Sequence, residues 1–233
     1  MKATHFCAAR LAVAALLVGL MAGAAAGTVE LPVQVGGAYS IPVTSLAEER
    51  TRSTVRQQYD FSCGSAAIST LLTHHYGQRV DEQAVFEAMF DAGDREKIKV
   101  EGFSLLDMKR YLEARGYQAD GFEAPLDSLS SAGIPAVVLL NENGYNHFVV
   151  VKGLRDGRVL FGDPASGTRS MPRVAFEQKW ANQILFVVSN RQEQARFNAD
   201  SDWQASPRAP LAAGVGGHSQ SAFGLPKLSP ADF

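Results

Sequence analysis

Two dipeptides, Asn143-Gly144 and Asp156-Gly157, restrict the fold of this 233-residue chain more than any other feature. They separate apolar, β-branched runs: Ala136-Val137-Val138-Leu139-Leu140, then His147-Phe148-Val149-Val150-Val151, then Arg158-Val159-Leu160-Phe161. Asn-Gly and Asp-Gly tolerate the positive φ angles that a two-residue hairpin turn demands. Turns this short cannot hold the crossover that parallel neighbours need, so the strands must run antiparallel. Residues 168–172 and 183–188 read as further strands, and 174–180 as a short helix between them.

Ahead of this sheet the periodicity is helical. Ile68, Leu71 and Leu72 follow the small-residue run after Cys63, which places Cys63 on the first turn of a helix. That helix ends at His74-His75-Tyr76-Gly77, where glycine suits the left-handed position and imidazoles suit the negative end of the dipole. Adjacent histidines diverge by about 100° on a helix, a poor geometry for a shared metal, so a surface or C-capping role is expected for both. Asp81 caps a second helix, with Ala84, Val85, Ala88 and Met89 on one face and an end near Ala92-Gly93. Ser104-Leu105-Leu106-Asp107 has the form of a capping box for a third, which Gly116 stops, and a short turn follows over 126–131. Helices first and antiparallel sheet second make an α+β domain over residues 54–189. With 46% of residues hydrophobic, it should bury a true core without staples.

The two ends read differently. Residues 1–26 combine Lys2 and Arg10, a Leu/Ala/Val run too short to span a bilayer, and a small-residue stretch ending at Ala26, as in an export signal. The expectation is cleavage after Ala26, a periplasmic protein and no integral membrane span afterwards. Loss of Lys2 and Arg10 from 22 basic residues, with all 24 acidic ones kept, moves the net charge from −2 to −4 and gives no reason to expect a nucleic-acid partner. Residues 27–53 read as an extended arm with one strand. Residues 190–233 are rich in Gln, Ala, Ser, Gly and Pro without apolar periodicity, and are expected to be a mostly disordered polar tail.

Signal cleavage would also remove Cys7, leaving Cys63 as an unpaired thiol in a compartment where cysteines usually pair. At a helix N-terminus the free N–H groups and the dipole favour a thiolate, which makes Cys63 a candidate nucleophile. His147, at the start of a strand, can take its proton, and Gln57 can donate to the oxyanion formed on attack at a carbonyl. Asp163 can fix the tautomer of His147 and support its charge. If the second hairpin turns on Asp156-Gly157, positions 150 and 163 pair, and His147 lies three residues beyond; contact with Asp163 then needs a bend or an offset register. No cofactor or metal is called for by this set. A non-catalytic peptide-binding module and an acyl-transfer enzyme are the competing readings, and the full Cys-His-Asp set speaks against the first.

Gln57 six residues before Cys63, the Cys63-Gly64 pair, the capped helix at Ser104, Asn146-His147-Phe148-Val149-Val150 and Asp163-Pro164 together resemble the papain-like peptidases that cut double-glycine leaders from bacteriocins, family thirty-nine of the cysteine peptidases. The likeness covers about residues 54–188. It implies a papain-like α+β fold, cysteine endopeptidase activity, and Cys63 as nucleophile, His147 as base, Asp163 as orienter and Gln57 as oxyanion donor. Gln58 is the alternative donor should the loop be shifted by one residue. Ser62 stands where the transporter-borne members usually carry an acidic residue, and the membrane and ATPase domains of those transporters are missing here. A free-standing domain behind an export signal is similar to the peptidase-like components of bacterial functional amyloid secretion systems, which implies a protein or peptide substrate: amyloid subunits or other export components.

Overall fold

The computed structural model describes residues 27–33 and 37–207, with side chains from residue 44 onward. The expected export signal and the 208–233 part of the tail lie outside the described residues. The described residues before Leu46 belong to a unit of their own, in which β1 (Gly27–Val33) and β2 (Gly37–Val43) pair antiparallel from Gly27 opposite Val43 to Val33 opposite Gly37. The arm therefore carries two strands instead of one, and α1 (Leu46–Arg52) opens the unit that follows.

In that second unit the helical half contains α2 (Cys63–Thr70), which widens into a π-helical turn at Leu71–His75, then α3 (Glu82–Ala92), α4 (Arg95–Glu101) and α5 (Leu105–Glu113). Helix α5 starts on a complete capping box: Asp107 N–H donates to Ser104 Oγ, and Ser104 N–H donates to Asp107 Oδ2. Helix α4 went unforeseen because seven residues dominated by charge carry little apolar period.

The sheet has six strands in the order β3-β8-β4-β5-β6-β7. These are β3 (Ala119–Glu123), β4 (Ala136–Glu142), β5 (Tyr145–Arg155), β6 (Arg158–Asp163), β7 (Gly167–Pro172) and β8 (Ile184–Val188), with α6 (Asp127–Ala132) before β4 and α7 (Arg173–Lys179) before β8. Phe148 and Val150 join Ile68, Leu72, Met108 and Leu112 in one buried cluster, whereas Val149 and Val151 join Leu126, Leu129, Phe161 and Phe176 in another. Helices cover both faces of β5, and this is why it reads as an unbroken apolar run instead of alternating.

Both hairpin turns form as expected, with Asn143 and Gly144 at φ 56° and 88°, and Asp156 and Gly157 at 49° and 69°. The register of β5 on β6 then changes. Arg155 to Gly153 pair with Arg158 to Leu160, but Val151 pairs with Phe161 and Val150 with Gly162, so Lys152 is the extra residue of a β-bulge. Positions 150 and 163 consequently do not pair. The bulge brings Asp163 level with Val149, onto the sheet face that His147 shares, whereas an unbroken register would have turned it to the other side.

The expectation of disorder from residue 190 onward fails for 190–207. Arg196 N–H donates to His75 O (2.8 Å), Asn198 N–H donates to Lys152 O (2.7 Å), and α8 (Asp200–Trp203) places Asp202 Oδ1 3.5 Å from the buried Lys152 ammonium. These ties run through backbone groups and one buried charge, which leave no hydrophobic period to read. His75 is correspondingly neither surface nor cap: it is buried and its Nδ1–H donates to Arg196 O at 2.6 Å. Among the described residues no helix is long and apolar enough to cross a membrane.

Candidate active site

A tight turn aims the nucleophile. Ser62 N–H and Ser62 Oγ both donate to Tyr59 O, and Tyr59 N–H donates to Ser62 Oγ, which sets the chain entering α2. Cys63 is the first residue of that helix and is buried at 7% exposure. Gly64 lets the helix press on the loop before α5: a Cβ there would lie 2.9 Å from both Phe103 Cβ and Met108 Cε. Burial pushes the thiol above its ordinary range, outweighing the N–H groups of Phe148, Gly64 and Cys63 itself, and the Asp163 charge adds to the rise. The thiolate expected from the helix end is thus not favoured in the free protein: the N–H groups point the right way, but burial is the larger effect.

His147 lies three residues into β5, 4% exposed, with its ring stacked on Tyr145 at 5.7 Å between centroids. Its Nε2 faces Asp163 Oδ2 at 3.7 Å and Glu142 Oε2 at 3.9 Å, distances of ion pairs rather than hydrogen bonds. Its Nδ1 is buried without a hydrogen-bond partner among the described residues. Structure therefore brings His147 and Asp163 together as expected, while no hydrogen bond joins His147 Nδ1 to the thiol. Asn146 and Phe148, on either side of His147 in the chain, line a cavity of about 400 Å³ together with Cys63, Gly102, Phe103 and Leu139. Leu139 and Phe148 also border an apolar trough of about 390 Å³ that reaches Leu105, Leu106 and Ile184.

Asp163 accepts from Ala165 N–H (2.8 Å) and Ser166 Oγ (2.9 Å) and forms an ion pair with Arg169 Nη2 at 2.9 Å. Burial alone would raise its carboxyl, but His147, Ala165, Ser166 and Arg169 together hold it well below the usual carboxylate range. The same guanidinium group reaches Glu142 at 2.8 Å, and Lys179 reaches Glu142 at 3.0 Å. Glu142, His147 and Asp163 present ligand atoms within 4.8 Å of one another, as a metal site would. With Arg169 and Lys179 already neutralising both carboxylates, the group reads as an ion-pair cluster around an imidazole.

Gln57 is tied in by its backbone, whose N–H donates to Pro164 O at 3.1 Å, directly after Asp163. Its side-chain amide donates to Tyr59 O (3.0 Å) and Asp60 O (3.4 Å) within its own loop, while Gln58 is exposed. Tyr145 Oη donates to Asp60 O (3.0 Å), so one side chain joins the nucleophile loop to the His147 strand. Tyr145, Glu142 and Arg169 were not anticipated. Glu142 sits in the hairpin that precedes His147, and Arg169 owes its place to pairing opposite Phe161. Only the strand register could have pointed to either.

Comparison with known proteins identifies the family. The family profile described as "Peptidase C39 family" matches residues 51–192. A protein of Pseudomonas aeruginosa named "Probable functional amyloid protease FapD" is 41% identical over 174 residues, covering 74% of this chain and 76% of that one. Its namesake in Pseudomonas fluorescens is 40% identical over 171 residues, covering 72% and 75%. The peptidase domain of Streptococcus ComA, a bifunctional ABC transporter of a quorum-sensing pathway, matches at a TM-score of 0.50 and 18% identity over 59% of this chain and 97% of that domain, a likeness of fold. With the profile spanning most of the described domain and the two relatives aligned over about three quarters of their own length, this chain belongs to the peptidase C39 family of cysteine peptidases, with a papain-like α+β fold.

Proposed function

We propose that this protein is a periplasmic cysteine endopeptidase that cleaves a secreted protein of a functional amyloid export system. The observation that carries the reading is the state of His147: Nε2 is held against Asp163, Nδ1 is buried without a hydrogen-bond partner among the described residues, and the chain neighbours Asn146 and Phe148 line the cavity that holds Cys63. In this reading the Cys63 Sγ–H proton passes to Nδ1 as the sulfur attacks the substrate carbonyl carbon. Gln57 and the Cys63 backbone N–H donate to the resulting oxyanion. His147 then protonates the departing amine, leaving a thioester that water, deprotonated by His147, hydrolyses back to free thiol. A neutral thiol at rest suits general-base activation at the moment of attack, with Asp163 supporting the imidazolium that forms. The amyloid role rests on the two relatives, and the periplasmic location on the sequence of residues 1–26.

The test is to incubate the purified protein with the amyloid subunits and other secreted proteins encoded beside it and to map new N-termini by mass spectrometry. Cleavage that disappears in Cys63→Ala and His147→Ala supports the reading. Binding of the same substrates without any new N-terminus, in wild type and variants alike, would overturn it in favour of a peptide-binding assembly factor.

A further inference from the structure

The His147–Asp163 pairing depends on a single inserted residue, Lys152, and that residue is where three distant parts of the chain meet. Its ammonium donates to Ser53 O and Ser53 Oγ, both at 2.6 Å, and approaches Thr168 Oγ1 at 3.3 Å and Asp202 Oδ1 at 3.5 Å. Ser53 lies four residues ahead of Gln57, Thr168 is on the strand after Asp163, and Asp202 belongs to residues 195–206, a strap tied to β5 by hydrogen bonds from Asn198. The stem of Lys152 lies over Gly162, where an added Cβ would come 3.4 Å from Lys152 Cδ and 2.6 Å from Thr54 Oγ1. On the other side of the bulge the strap sits directly on Gly153, where an added Cβ would lie 2.7 Å from Asn198 Oδ1. Lys152 O accepts from Asn198 N–H, and Leu154 O accepts from Asn198 Nδ2, so the strap supplies the partners that a bulged strand lacks on its ladder.

We infer that Asp202 and Lys152 are positioning residues which, with Asn198 bracing the strand beside them, hold the β5 bulge and through it the face on which Asp163 meets His147. This rests on the assignment of His147 and Asp163 proposed above. A fully buried ammonium left without its carboxylate cannot keep that place cheaply, and the nearest relief is for the bulge to migrate or straighten. Either movement turns Asp163 away from the imidazole.

The experiment compares Asp202→Asn, Gly153→Ala and Lys152→Met with Lys152→Arg and with Asp200→Asn, which breaks only the exposed pair with Arg155 on the same short helix. Two quantities are read: kcat and KM on the cleaved substrate, and the fraction of His147 in the Nε2–H tautomer, from ¹⁵N spectra recorded in a Cys63→Ala background. Asp163→Asn sets the scale for loss of the pairing. Asp202→Asn and Gly153→Ala are expected to lower kcat at least tenfold with KM within twofold and to shift the tautomer toward the Asp163→Asn value. Lys152→Arg should restore most of both relative to Lys152→Met, and Asp200→Asn should change neither. Folded Asp202→Asn and Gly153→Ala proteins with an unchanged tautomer would overturn the inference, whatever their kcat. The spectrum needs no cleavage, so it still decides the strap's role if Cys63→Ala shows that the protein is not a peptidase.

Discussion

Cys63 presents the sharpest contest between local and surrounding effects. Its own N–H and that of Gly64 stabilise a thiolate, yet burial wins and raises the thiol. Iodoacetamide labelling of the free protein should therefore be slow at pH 7 and climb only above the range of an ordinary thiol, about 8.5. A plateau near pH 6 would instead reveal a preformed thiolate–imidazolium pair. Gln57 and Gln58 differ more simply. Neighbouring residues of an extended loop point to opposite sides, and the amide of Gln57 is the one gathered with Tyr59 and Asp60 in front of Tyr145. Gln57→Ala is expected to lower kcat about a hundredfold with KM little changed, and Gln58→Ala to have a mild effect, in steady-state assays on the cleaved substrate. The opposite order would place the oxyanion donor one residue later.

Among the elements, α2 tolerates little change at Gly64, which sets how closely it approaches Phe103 and Met108. Gly64→Ala forces a contact of 2.9 Å onto two packed side chains, a strain of about 1–3 kcal/mol by analogy with overpacked cores. The thermal midpoint should fall by about 2–4 °C for each kcal/mol, and differential scanning calorimetry measures it directly. An unchanged midpoint would mean that Met108 swings aside without cost. Such contacts also mark the limit of what a sequence shows. The hairpins were legible because Asn143-Gly144 and Asp156-Gly157 are local signals, and Cys63, His147 and Asp163 because each is chemically conspicuous. The register that lets His147 meet Asp163 was not, since it turns on a bulge at Lys152, which Asp202 holds from 50 residues away. Helix α4 and strand β3 escaped for a different reason: short and mostly exposed, they carry too few apolar residues to set a period.

On the scale of the whole molecule, the unit that begins at Leu46 is closed by residues 195–206, the last segment described. A stop after residue 194 removes the acceptor of His75 Nδ1–H and the carboxylate beside Lys152, and breaking one buried pair costs about 3–5 kcal/mol. The thermal midpoint should drop by about 10 °C, whereas a stop after residue 207 spares every described contact and serves as the control. Acid should loosen the same closure. Burial and the Lys152 charge draw His75 down to about 3, against the opposing pull of the Arg196 carbonyl and Asp202, with His74 adding to the fall. The unfolded chain takes up that proton near 6.5, so it binds more protons than the native state between about 6.5 and 3. Stability should therefore decline as pH falls through this window, and His75→Asn, which keeps a donor for Arg196 O, should flatten the decline in a series of thermal melts. The Lys152 junction also imposes an order in time. Residues 53, 152, 163 and 168 leave the ribosome before residue 202, and until then the ammonium lacks the Asp202 carboxylate. A chain synthesised only as far as residue 194 would carry its thiol and imidazole without the Asp202 brace, so on the proposed reading their alignment would wait for residue 202.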